Sequence, residues 1–247
     1  MDKRLDKIND KISIYQYTEG FAYGTDAVLL ASYVNVKKGQ IGAEFGTGTG
    51  IIPILLTHHK SPEKIFAFEI QEDYALLASE NVKLAEMSDK IEIIHDDIKN
   101  ITPYYFREKG VESVDFVFSN PPYMKMTSGY LNESERKLTA RHELFCDIDD
   151  ICLSASKILK NGGDFYVVYR PDRMCDLFVA MRKAGLEPKE MTEVQSRLGD
   201  APTLILVRAR KGASSSLKIT KPFVIYNEDN TYTDEMKQVY EKGNIYV

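Results

Sequence analysis

Ile41-Gly42-Ala43-Glu44-Phe45-Gly46-Thr47-Gly48-Thr49-Gly50 runs straight into Ile51-Ile52-Pro53-Ile54-Leu55-Leu56-Thr57. A short apolar run, a glycine-rich turn and an apolar helix in direct succession read as the strand–turn–helix opening of an α/β sheet. Pro53 is tolerated because it falls in the first helical turn. The spacing excludes two nucleotide signatures. A dinucleotide fingerprint needs Gly-x-Gly-x-x-Gly, and Ile51 holds the third glycine position. A phosphate loop needs a Gly-Lys-Ser/Thr ending, which this turn lacks. Acid-x-Gly-x-Gly-x-Gly suits a cofactor without a pyrophosphate. Gly46, Gly48 and Gly50 admit backbone contact with an amino-acid-like moiety, and Glu44 can face its ammonium.

Working outward, Lys64–Glu69 reads as the second strand and ends in a carboxylate about 20 residues past the glycines, where α/β folds hold ribose hydroxyls. A helix is expected from Glu72 to Met87, with Ala75, Ala78, Val82 and Ala85 on one side. Ile91–His95 is the third strand, followed by Asp96 and Asp97, either of which could accept the amino group of an adenine ring. Three acids ending three successive strands favour a nucleoside-type ligand. The fourth strand, Val114–Ser119, stops at Asn120-Pro121-Pro122-Tyr123. Two prolines remove two N–H donors, and the residue before a proline is held extended. The resulting lip offers an amide oxygen, a free carbonyl and an aromatic face. It suits a planar ligand with an exocyclic amine, whose hydrogens go to Asn120 and the Pro121 carbonyl while the ring stacks on Tyr123.

A helix over Ile148–Lys160 should stop at Asn161-Gly162-Gly163, before a fifth strand, Asp164–Tyr169. Pro171 opens a helix ending at Gly185, and Met191–Val194 with Thr203–Val207 can pair as a terminal hairpin. The alternation predicts a doubly wound, mostly parallel α/β sheet with that antiparallel hairpin at its end. All candidate motifs then fall in one crevice beyond the strands' carboxyl ends. Residues 1–35 read as a cover segment, with Thr25 or Asp26 capping the helix that follows; residues 36–211 form the main domain. Residues 212–247 are a tail packed on it, begun by a flexible link, Gly212–Ser216, and holding a short helix from Thr233. Arg208, Arg210 and Lys211 open a basic run that is either a solubilising edge or a contact for a phosphate backbone.

Composition bounds the rest. The 247 residues are 43% hydrophobic, enough for a sizeable core, and the net charge of -5 gives no global electrostatic case for nucleic acid, so any basic surface is local. Cys146, Cys152 and Cys175 lack metal-like spacing and read as reduced, packed thiols of a cytoplasmic protein. No metal, signal peptide or bilayer-spanning stretch is expected.

The acid-Phe-Gly-Thr-Gly-Thr-Gly turn together with Asn-Pro-Pro-Tyr resembles the class I S-adenosylmethionine-dependent methyltransferases that modify planar nitrogen. Gly20-Phe21-Ala22-Tyr23-Gly24-Thr25-Asp26-Ala27-Val28-Leu29-Leu30-Ala31 and Ala140-Arg141-His142-Glu143 narrow the likeness. The chain is similar over nearly its whole length to the valine-tRNA adenine-N6 methyltransferase family, which acts on the adenosine just 3′ of the anticodon. The resemblance implies a Rossmann-like fold, S-adenosylmethionine as cofactor and tRNA as substrate. It implies that Glu44, Gly46, Gly48 and Gly50 flank the cofactor's methionine part. Glu69 would hold the ribose, and Asp97, or its neighbour Asp96, the adenine. Asn120 and Pro121 would grip the target amine and Tyr123 would stack on the base.

Rival readings keep the same lip. A glutamine N5 protein methyltransferase would carry a helical domain before the first strand, and only about 40 residues precede Ile41. DNA adenine methylation would want a recognition domain, and an rRNA guanine-N2 enzyme stays open. A non-catalytic binding module would have no need for the amine lip.

Overall fold

The computed structural model describes residues 2–19, 23–121 and 147–245. A hairpin of β1 (Lys3–Lys7) and β2 (Ser13–Tyr17) leads into α1 (Thr25–Tyr33). The main run follows as β3 (Ile41–Phe45), α2 (Ile51–Lys60), β4 (Lys64–Glu69), α3 (Glu72–Leu84), β5 (Ile91–His95), α4 (Pro103–Arg107) and β6 (Val114–Ser119). After the lip come α5 (Ile148–Ile158), β7 (Leu159–Tyr169), α6 (Met174–Lys183), β8 (Leu186–Gln195) and β9 (Leu204–Lys211). Two short strands, β10 (Lys218–Ile219) and β11 (Phe223–Val224), precede α7 (Asp234–Lys242).

Among the described residues the sheet has nine strands, in the order β10-β8-β9-β7-β6-β3-β4-β5, with β11 also on β8. β9 alone runs against its neighbours, as the expected terminal hairpin with β8. From β3 the chain winds outward through β4 to β5, then returns to β6 on the other side of β3. The topological switch point therefore lies between β3 and β6, where ligands of such sheets sit.

Side chains alternate across each strand, so the sheet buries both faces. Phe116, Phe118, Tyr166 and Val168 pack on one side with Leu29 and Leu30 of α1 and Ile54 and Leu56 of α2. Val117, Phe165, Val167 and Val207 pack on the other with Ile151 of α5 and Leu177 and Met181 of α6. Phe223, Ile225, Met236 and Val239 from the tail join the first cluster.

Several boundaries differ from the sequence reading. Neither Thr25 nor Asp26 caps α1: the N-cap is Gly24, with no side-chain cap bond. α3 ends at Leu84, and Glu86 turns to φ 56. α5 ends at Ile158 and β7 begins at once, carrying Asn161-Gly162-Gly163 inside the strand. Gly162 has φ 76, and the β6–β7 register slips between Val114 and Phe116, so the glycine absorbs a bulge instead of stopping a helix. The link at Gly212–Ser216 is tied down: Gly212 N–H donates to Gly185 O (3.0 Å) and Lys189 Nζ to Ser214 O (2.9 Å). Cys152 is buried as expected, but Cys175 is exposed; Cys146 lies outside the described residues. Among the described residues no helix is long and apolar enough to cross a membrane.

One side chain of α2 closes α1. Lys60 Nζ donates to the carbonyls of Ala31 (3.2 Å), Ser32 (2.7 Å) and Val34 (2.5 Å), which end that helix. Burial pushes its ammonium down to about 7, while three acceptors at the negative end of a helix oppose that pull. Lys60→Met keeps the aliphatic stem and removes the donors. We expect a lower urea midpoint at unchanged m, equivalent to about 1–3 kcal/mol.

Candidate active site

The Gly46–Gly50 turn leaves β3 at the switch point. Gly46 and Thr47 N–H both donate to Phe68 O, at 2.9 and 3.0 Å, which folds the turn back over the end of β4. Gly46 (φ 73), Gly48 (φ 55) and Gly50 (φ 79) all take left-handed backbone. A Cβ at Gly46 or Gly48 would meet nothing within 4 Å, so both border open space, whereas one at Gly50 would stand 3.3 Å from the Ala78 Cβ. The first two glycines thus open a cradle, and the third lets α3 come close.

Glu44 lies beneath this turn at 0% exposure. Thr47 Oγ1 donates to its Oε2, while Oε1 is buried with no hydrogen-bond partner. Burial pushes its carboxyl up to about 8, helped by the nearby charge of Glu69 and opposed by the Thr47 hydroxyl. An unpaired buried carboxylate oxygen costs free energy that a cation at that spot would recover.

Glu69 ends β4 and is also buried. Its Oε2 accepts from Gly48 N–H (2.8 Å) and its Oε1 from Gln71 N–H (3.0 Å), and each oxygen keeps a further lone pair. Beyond β5, Asp97 Oδ1 accepts from Lys99 N–H (2.9 Å), and the Lys99 ammonium stands 3.6 Å from Oδ2. Asp96 Oδ1 accepts from Asp97 N–H (2.7 Å) and Asn100 Nδ2 (3.0 Å). Asp96 N–H donates to Glu69 O (3.1 Å), which joins the two strand ends.

The lip starts from the strand beside β3. Ser119 Oγ donates to Phe45 O at 2.9 Å and locks the end of β6 to the end of β3. That bond holds Asn120 next to the glycine turn. Asn120 Nδ2 donates to Asp26 Oδ2 (3.0 Å), and Pro121 is buried. Tyr123, Pro122 and the segment with Ala140–Glu143 lie outside the described residues, as do Gly20–Ala22.

The structure brings Glu44, Gly46, Gly48, Gly50, Glu69, Asp97 and Asn120 to the same end of the sheet. It does not bring the basic run there. Arg210 sits opposite Asp164 and makes two bonds to it, 2.9 and 3.0 Å. Arg208 stands 3.3 Å from Asp164 and 3.7 Å from Glu190. Lys211 donates to Ser156 O (2.5 Å) and Leu159 O (2.7 Å) at the end of α5. β9 is antiparallel, so Arg210 and Lys211 lie toward the amino ends of the parallel strands, away from the glycine turn. Arg208 and Arg210 pair with acids across the strand ladder, and Lys211 holds carbonyls at the end of α5.

Three contributors escaped sequence reading. Asn81, fully buried, donates to Thr49 O and Tyr15 O (2.9 Å each) and accepts from Tyr15 N–H (2.7 Å), so it ties the N-terminal hairpin and the glycine turn to α3. A lone polar residue on the helix face of Ala75, Ala78 and Val82 was its signal. Ser119 read as the end of a strand and Asp26 as a cap.

A glycine cradle over an unpaired carboxylate fits an ammonium-ended cofactor, which separates class I methyltransferases from dinucleotide enzymes on the same kind of sheet. S-adenosylmethionine, which carries an ammonium and no pyrophosphate, fits a lining of this chemistry. The chain belongs to the methyltransferase small domain family, whose model matches residues 20–184. A relative from Phocaeicola vulgatus named tRNA1(Val) (adenine(37)-N6)-methyltransferase is 27% identical over 197 residues, covering 80% of each chain. A relative of the same name from Proteus mirabilis is 27% identical over 220 residues, covering 87% of this chain and 83% of that one. The crystal structure of a predicted O-methyltransferase from Agrobacterium tumefaciens superposes with TM-score 0.71 at 21% identity, covering 90% of this chain and 98% of that one. That likeness concerns the fold alone.

Proposed function

We propose that the chain transfers a methyl group from S-adenosylmethionine to the exocyclic N6 amine of an adenosine in tRNA, the one next to the anticodon. The observation that carries this reading is the Asn120 carboxamide, held beside the glycine cradle with its NH2 already given to Asp26. Its oxygen is left as an acceptor for a hydrogen of the target amine. The names of the relatives supply the tRNA and the adenine.

When bound, S-adenosylmethionine supplies an electrophilic methyl on a sulfonium. The adenine amine is a poor nucleophile because its lone pair is delocalised into the ring. Asn120 Oδ1 and the Pro121 carbonyl accept its two hydrogens and favour a pyramidal nitrogen whose lone pair can face the methyl. No strong base is required, since the proton becomes acidic only as the N–C bond forms. Alignment carries most of the rate, and effective molarity in a well-oriented site contributes roughly 7–11 kcal/mol. The base must leave its stack to reach the lip, and an anticodon loop makes that easier because its bases are only partly paired. Tyr123→Ala should weaken RNA binding by about 1–3 kcal/mol through loss of a stacking face. Equal RNA affinity in both proteins would remove stacking from the account.

Cofactor turnover with bulk tRNA, bulk DNA and a glutamine-containing release factor tests the substrate class. Turnover confined to tRNA supports the proposal. Turnover on DNA or on the release factor instead would replace it.

A further inference from the structure

We propose that Asp26 is a positioning residue for the amine step, holding the Asn120 carboxamide so that its oxygen faces the target nitrogen. This rests on the amine-methylation reading above. Asp26 lies in the first turn of α1, 94 positions from Asn120 in the chain, and makes no helix-capping bond. One of its oxygens, Oδ1, accepts from Ala27 N–H at 2.9 Å. The other, Oδ2, accepts from Asn120 Nδ2 at 3.0 Å. Gly24 leaves room for this arrangement, because a Cβ there would stand 2.6 Å from Asp26 Oδ1.

The chemistry follows from what a carboxylate can do. It accepts and does not donate, so the part of an amide that turns to it must be the NH2. The flip state of Asn120 is thereby set, and the oxygen becomes the group that can accept from a substrate. Without Asp26 the carboxamide could present its NH2 instead, which would repel a target amine as donor against donor. The carboxylate also strengthens the amide as an acceptor. A charge-assisted bond to Nδ2 draws the amide toward its polarised form and puts more negative charge on Oδ1. That charge lies where the amine hydrogens grow positive as the nitrogen takes up the methyl. Asp26 touches no reacting atom in this scheme. It acts through Asn120.

The test uses the full chain and two readouts. In 15N-labelled protein without substrate, the Asn120 side-chain NH2 is assigned by its disappearance in Asn120→Ala. Its protons should exchange slowly in the wild type and at the rate of an exposed amide in Asp26→Ala. Methylation of tRNA should then show kcat lowered roughly 10- to 100-fold in Asp26→Asn and Asp26→Ala, with KM for S-adenosylmethionine unchanged. Asp26→Asn is close to isosteric and serves if Asp26→Ala does not fold. The swap Asp26→Asn/Asn120→Asp restores a donor facing a carboxylate, so its kcat should exceed that of either single variant, while KM for S-adenosylmethionine and the thermal midpoint stay level across all three, a split that a merely structural role would not produce. Unchanged NH2 exchange in Asp26→Ala, unchanged kcat, or losses that simply multiply in the double variant would overturn the proposal. The exchange readout needs no substrate, so it still decides the Asp26–Asn120 pair if tRNA adenosine proves the wrong acceptor.

Discussion

Asn120→Ala lowers kcat for methyl transfer by roughly 10²–10³-fold or more while Kd for S-adenosylmethionine stays within about twofold. The asymmetry follows from where the residue stands. Asn120 belongs to the lip at the end of β6 and donates to Asp26, whereas the proposed cofactor cradle is built by Gly46–Gly50, Glu44 and Glu69 from β3 and β4. Removing the carboxamide takes away an acceptor that works on the amine and leaves the cradle's bonds in place. The loss falls on kcat because this bond strengthens as the nitrogen gains positive charge, and such interactions act on the transition state more than on binding. Stopped-flow or quench-flow transfer at saturating cofactor, beside isothermal titration of the same preparation, checks both halves. A variant that keeps near wild-type kcat, or one that loses cofactor affinity in proportion, contradicts the assigned role.

Glu44→Gln should weaken S-adenosylmethionine binding by about two orders of magnitude or more, since the ammonium would lose a buried ionic partner. It should also remove a proton from the binding equation. In the ligand-free chain burial holds the Glu44 carboxyl near 8, against an ordinary value of 4.5. At pH 6.5 it is therefore protonated, and it must ionise to face an ammonium. Binding should release about one proton per ligand in the wild type and none in Glu44→Gln, as read by calorimetry in buffers of different ionisation enthalpy. A nucleoside lacking the amino-acid part, 5′-methylthioadenosine, should bind both proteins alike. The same shift has a stability counterpart. The folded chain holds this proton more tightly than the unfolded one, so the contribution is complete below the unfolded value and is lost as pH rises through about 8. The ligand-free wild type should lose stability on the order of a few kcal/mol over that window. Glu44→Gln should show a flatter profile.

The sheet was legible because its strands are buried on both faces and end in turn chemistry. Ile41–Phe45, Lys64–Glu69, Ile91–His95 and Val114–Ser119 begin and end where their apolar runs do. β1 carried no such signal: Lys3-Arg4-Leu5-Asp6-Lys7 is exposed along most of its length and is a strand only through its backbone ladder to β2. β7 begins earlier than its apolar run because a positive-φ glycine lets Asn161-Gly162-Gly163 stay in the ladder.

The glycine turn proposed to hold the cofactor was legible for the same local reason. Glu44 and the three glycines lie within seven residues, and their spacing carries the geometry. The amine side depends on contacts between distant segments, which no local pattern encodes. Asp26 reads as a helix cap until α1 is seen against the end of β6. The basic run Arg208–Lys211 reads as either a solubilising edge or a phosphate contact, and its pairing with Asp164 and Glu190 shows only across the ladder. Charge in sequence says nothing about which end of a sheet it occupies.

The most direct test of the central claim is the identity of the product. The purified chain, S-adenosylmethionine with a deuterated methyl group and an unmodified valine tRNA transcript are incubated together, and the RNA is digested to nucleosides for mass spectrometry. The account predicts labelled N6-methyladenosine, mapped to the position 3′ of the anticodon and missing with Asn120→Ala. Label on guanine N2, on a ring nitrogen or on protein, or N6-methyladenosine formed equally by Asn120→Ala, would contradict it.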